Sequence, residues 1–117
     1  MTPLRVYVGW DSREDIAFQV ARQSLVRHSS IPVEVIPIKI NELVDSGVYT
    51  RGIDPLASTE FTYSRFLTPS LAGFTGWAIF CDCDMLFFGD VKDLLQYQDP
   101  KYAVCCVQHD YSPKDSV

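Results

Sequence analysis

Trp77–Gly89, WAIFCDCDMLFFG, is the stretch whose reading decides the fold. Trp77, Ala78, Ile79, Phe80 and Cys81 run straight into Asp82-Cys83-Asp84, and Met85 to Phe88 are apolar again until Gly89 breaks the run. A continuous apolar run of this length predicts a strand buried on both faces, as in a parallel sheet covered by helices on either side. Unpaired charge inside such a layer costs several kcal/mol. The two carboxylates therefore belong where the strand emerges, facing a metal, an array of donors or water. In open α/β sheets that place, the carboxyl edge, is where ligands bind. Carboxylates at i and i+2 in extended backbone point the same way, and two hard oxygens suit a divalent cation that also holds phosphate. With eleven Asp in 117 residues, one Asp-x-Asp is about what chance supplies, so its weight comes from the apolar strand before it. The plain alternative makes Asp82 a strand end and Asp84 the cap of the next turn.

Working outward, Asp90 predicts the N-cap of a helix through Leu94, Leu95 and Tyr97, and Lys101–Val107 (KYAVCCV) a further buried strand. On the other side, a helix is predicted from Ser58 or Thr59, with Tyr63, Phe66, Leu67, Ser70 and Leu71 at helical spacing, Arg65 as its one cation and Gly73 behind it. Val48–Ala57 has no periodicity and contains Gly52 and Asp54-Pro55, the signature of a loop. Val33–Ile40 is a predicted strand in which Pro37 indicates an edge or a bulge, followed by a short helical turn capped by Asn41 and stopped by Gly47. Leu4–Trp10 is the first predicted strand. Asp11-Ser12 opens a helix down to about His28, with Ser12 and Asp15 close to a capping box and Ile16, Ala17, Val20, Ala21, Ser24 and Leu25 on its apolar face. Strands alternating with helices imply parallel crossovers and a Rossmann-like, mostly parallel sheet flanked by helices. The G-x-G-x-x-G turn of dinucleotide sites is missing.

The length of 117 residues suits one domain, residues 1–117, able to bury roughly two thirds of its unfolded surface. A net charge of −5 with no Lys/Arg cluster argues against a nucleic-acid backbone or an anionic membrane as partner. No apolar run approaches the roughly 18 residues of a membrane span, and the N-terminus has no signal-peptide pattern, which points to the cytoplasm. Cys81, Cys83, Cys105 and Cys106 all sit in apolar surroundings and read as buried free thiols rather than a zinc site.

Four segments in this order, GWDSRE at the end of the first strand, YTRGIDPLASTEFTYSRF, DCDMLFFGDV and YAVCCVQHDY, resemble a glycosyltransferase with the GT-A fold, similar to the family-8 retaining enzymes. The resemblance covers nearly all of this chain, and the chain corresponds to the N-terminal half of such an enzyme. It implies that Val8, Gly9, Trp10, Asp11 and Arg13 hold the nucleotide base and ribose and that Tyr63 and Arg65 contact the donor. Asp82 and Cys83 then lie at the ribose or sugar, and Asp82 with Asp84 at a Mn2+ or Mg2+ ion on the diphosphate. The implied reaction is retaining transfer of a sugar from a nucleotide-diphosphate sugar, a UDP-sugar as the leading candidate, to an unknown acceptor. A divalent ion on the diphosphate would stabilise the charge that builds there, and Arg65 would add a bidentate contact. The family's third metal ligand lies in its second half. His109, followed by Asp110 and Tyr111, resembles a different family position, and His28 reads as a helix C-terminal cation.

Two other readings stand beside this one. A haloacid-dehalogenase-type phosphotransferase also ends an apolar strand in Asp-x-Asp, but on its first strand and with Thr or Val where this sequence has Leu86. A non-enzymatic half-fold would bind nucleotide without turnover, or pair with a second copy through an exposed sheet edge.

Overall fold

Leu4–Gly9 (β1) is the axis of the structure, a computed structural model that describes residues 2–108, 110 and 112. Val33–Ile38 (β2) and Ala78–Cys81 (β3) pair with it on either side, giving an all-parallel sheet of order β2-β1-β3. β1 is buried along nearly its whole length because it alone is hydrogen-bonded on both edges. Its residues alternate between two cores. Leu4, Val6 and Val8 pack with Phe18, Leu25, Phe61, Cys81, Cys83 and Val91. Tyr7 packs on the opposite face with Ile38 and Ala72. There the Arg5 guanidinium donates to the Ala72 carbonyl at 2.7 Å, and the Tyr7 hydroxyl to that of Leu71 at 3.2 Å.

Asp15–His28 (α1) covers the first face, entered through a 3-10 turn at Ser12–Glu14. Its buried side is Phe18, Ala21, Ser24 and Leu25, which leaves Ile16 and Val20 in solvent, so the expected face is rotated. The cap differs as well: Asp11, not Ser12, accepts from the Arg13 N–H, and the Ser12 hydroxyl turns to the Glu60 carboxylate. Ile40–Asp45 (α2) takes over where the second strand was expected to continue. β2 is an edge strand, which is how Pro37, lacking an N–H, fits opposite Val8.

The helix expected over Ser58–Leu71 is broken into turns, a 3-10 segment at Ser64–Leu67 and Thr68–Leu71 (α3), because Pro69 has no N–H for a continuous helical ladder. Phe66 is consequently exposed. Val91–Tyr97 is a 3-10 helix capped by the Asp90 carboxylate, as expected in place if not in type. Two larger corrections concern the strands. β3 is half-buried with only Cys81 fully enclosed, because it is an edge strand rather than an interior one. Lys101–Val107 forms no strand: it pairs with nothing, and Tyr102, Val104, Cys105, Cys106 and Val107 are exposed. Apolar composition predicted burial there, but burial needs a partner strand and a covering layer, and neither is present among the described residues.

Candidate functional site

The parallel register sets where the expected residues meet. Val8 pairs with Cys81, so Gly9-Trp10-Asp11 and Asp82-Cys83-Asp84 leave the sheet side by side at its carboxyl edge. Strand alternation sends Cys81 and Cys83 into the α1-side core and leaves Asp82 between them on the other side. Burial, reinforced by the neighbouring carboxylate of Asp82, pushes the Cys81 thiol up to about 12. Burial and the Glu14 carboxylate, 3.5 Å from its sulfur, push that of Cys83 up to about 11. Both are neutral packing groups at physiological pH. Asp82 is half exposed and Asp84 exposed, with the chain bending at Cys83-Asp84 rather than continuing as extended strand.

Arg65 is the cation paired with Asp82. Its Nη1 lies 3.4 Å from an Asp82 carboxylate oxygen, its Nε donates to the Phe61 carbonyl at 3.3 Å, and the guanidinium sits over the rings of Phe61 and Phe80 at 5.2 and 5.5 Å. Phe61 in turn lies against Gly9: a Cβ added there would stand 2.3 Å from the ring. Gly9 is the one residue type that admits this approach. Arg65 is thus seated on a stack that joins the tips of β1 and β3.

The Asp11 carboxylate is fully buried and directed inward. Arg13 donates to it from its backbone N–H at 2.9 Å, from Nε at 2.9 Å and from Nη2 at 2.7 Å, and the Glu60 N–H adds a fourth bond at 3.2 Å. The Arg13 side-chain bonds hold its carboxyl well below the usual range against the opposing effect of burial. Asp11 therefore fastens the 58–60 segment to the tip of β1, and with its oxygens occupied it is a positioning group rather than a ligand. Sequence reasoning placed Asp11 at the right edge but missed Glu60 as its partner, which only the tertiary fold supplies. Tyr63 donates its hydroxyl to Asp54 at 3.0 Å, and the Arg51 guanidinium lies 3.9 Å from its ring centroid, pinning the 48–57 loop. Trp10 donates its indole N–H to Asp15 at 2.9 Å and carries Lys39 over its ring at 4.7 Å.

Among the described residues no three His, Cys, Asp or Glu side chains come together to hold a metal. Asp82 and Asp84 do match the donor set of an ion of the Mg2+ type, which is commonly held by one or two carboxylates with substrate phosphates and water completing its shell. His109 and Tyr111 lie outside the described residues. A concavity of about 660 Å3 lies at the opposite end of the sheet, beside Leu4, Arg5, Trp77, Lys92 and Leu95, away from every residue expected at the site.

The chain is similar to Protein CDI of Arabidopsis thaliana. Identity is 52% over 114 residues, which is 97% of this chain but 44% of that protein, so the chain spans less than half the length of the curated relative it matches. No protein-family model matches the sequence, and no solved structure matches the fold. No helix among the described residues is long and apolar enough to cross a membrane.

Proposed function

We propose that this domain is the donor-binding part of a nucleotide-sugar-dependent, retaining glycosyltransferase. The observation that carries the reading is the pairing of Val8 with Cys81, which brings the Gly9-Trp10 tip of β1 beside Asp82 and Asp84 at the carboxyl edge of a parallel sheet. The resemblance of the four sequence segments to the family-8 enzymes supports the same assignment. Trp10 offers an apolar seat for a base and ribose at the tip of β1, with Arg13 beside it, while the buried Val8 supports that tip from the core rather than touching a ligand. Arg65 and Tyr63 face the diphosphate and sugar. Asp82 and Asp84 would hold Mn2+ or Mg2+, which would neutralise charge on the diphosphate. Arg65 is suited to phosphate because its fork can bind two oxygens at once.

Isothermal calorimetry with UDP tests the reading. Binding should require Mn2+ or Mg2+ and should be lost in Asp84→Ala; binding that ignores the metal, or that survives the substitution, would remove the proposal. A second reading is favoured by one observation. Met85, Leu86, Phe88, Leu94, Tyr97, Tyr102, Val104 and Val107, all in the segment that follows the edge strand β3, are exposed apolar side chains. Such a surface suits assembly with a second copy through that edge. Sedimentation that finds only monomer would remove this second reading.

A further inference from the structure

The seat of Arg65 owes nothing to Asp82. The Phe61 carbonyl and the two rings of Phe61 and Phe80 fix the guanidinium through three contacts, and one edge is then left 3.4 Å from the Asp82 carboxylate. Phe80 on β3 stands two residues before Asp82, which follows directly on the strand's end, so the ring under the cation and the carboxylate beside it share one short segment. A guanidinium placed in this way already supplies the positive charge that a divalent ion would bring to Asp82. An incoming ion meets like-charge repulsion at close range and competes for the same oxygens. A diphosphate reverses the balance, because its oxygens offer the fork a better-matched planar partner and release Asp82.

We infer that Arg65 is a resident counter-cation of Asp82 that keeps divalent ions off the site until a diphosphate takes over the guanidinium edge now facing Asp82. The inference rests on the transferase reading and adds an order to it: the ion and the nucleotide enter together, and the ion alone binds weakly. Arg65 is accordingly a positioning residue for the metal as well as a contact for the donor.

The test is Mn2+ binding to the full chain, read from the free-ion electron paramagnetic resonance signal, in the presence and absence of UDP. Without nucleotide, Arg65→Gln should bind Mn2+ about tenfold more tightly than the native chain, a shift of about 1.4 kcal/mol. Arg65→Lys, which keeps the charge, should bind as weakly as the native chain. With UDP present the order should invert, Arg65→Gln becoming the weaker binder. This inversion is a result that a merely structural role for Arg65 would not produce. Arg65→Met, whose stem can keep the aromatic stack, replaces the glutamine variant if the latter does not fold, and adding Asp82→Asn should cancel the gain. Equal Mn2+ affinity in the native and charge-removed chains, with Mn2+–UDP still binding the native chain, would overturn this inference alone. A native chain that binds neither Mn2+–UDP nor UDP would overturn the transferase reading and this inference with it.

Discussion

Replacing Asp11 probes the hub that joins β1 to the 58–60 segment, and its cost can be worked out bond by bond. The carboxylate accepts from the Arg13 N–H, both ends of the Arg13 fork and the Glu60 N–H. Asp11→Ala removes a helix-start cap, worth about 1 kcal/mol. It leaves the Glu60 N–H without its acceptor, costing about 1 to 2 kcal/mol where water does not replace it. The ion pair itself adds little, because the Arg13 head is 66% exposed and rehydrates when its partner is lost. The total is about 3 kcal/mol, or a fall in melting temperature of about 15 °C for a domain of this size. Asp11→Asn keeps one acceptor oxygen and should lose about half as much. Acid titration adds a signed test. The folded carboxyl is held below its usual value chiefly by the Arg13 side chain. Its contribution is therefore complete above the ordinary Asp value of about 4 and drains away as pH falls toward the folded value. Urea denaturation followed by circular dichroism, from neutral pH down through the acid range, should show a shallower acid loss in Asp11→Asn than in the native chain. A loss of less than about 0.5 kcal/mol in Asp11→Ala, the range of an ordinary surface substitution, would refute the hub.

Gly9→Ala places a methyl 2.3 Å from the Phe61 ring and should destabilise by about 2 kcal/mol through overpacking, measured by the same denaturation; a neutral outcome would show that the ring is not held there. Ser24→Ala removes the acceptor of the Phe87 N–H, a 3.0 Å bond that pins the segment after Asp84 to α1, and should cost about 1 kcal/mol while speeding hydrogen exchange at Phe87. With an aromatic disulfide reagent at about pH 8, Cys105 and Cys106 should react at once and Cys81 and Cys83 only on unfolding, since burial keeps the latter two protonated. Four equal rates would contradict that packing.

The parallel α/β layout was readable because each described strand is short, apolar and separated by a helix-length segment, and because Pro37 marked its own strand as an edge or a bulge, of which the structure shows the edge. Lys101–Val107 was misread for a physical reason: its composition reports an affinity for a covering layer, while a strand exists only where a neighbouring edge accepts it. The α1 face was rotated because Val20 and Ile16 have the composition of core residues, and only the position of the sheet chooses Phe18 instead. The place of Asp82 and Asp84 at the carboxyl edge was legible from an apolar run that ends in carboxylates, and that of Gly9 from its position near a strand end. The Arg65 seat was not, since it depends on Phe61 and Phe80 meeting across 6.4 Å from segments separate in sequence. Nor was the inward commitment of Asp11, whose fourth bond comes from Glu60, 49 residues away.

The central claim is that the tips of β1 and β3 form one binding site, and a Mn2+–UDP complex reports directly on it. Added to 15N-labelled protein, the paramagnetic ion should broaden the amide resonances of Asp82, Cys83 and Asp84 together with those of Gly9 and Trp10, and a Mg2+–UDP control should shift the same set without broadening it. Broadening that spares either tip, or that appears instead around Leu4, Lys92 and Leu95 at the far end of the sheet, would contradict the account.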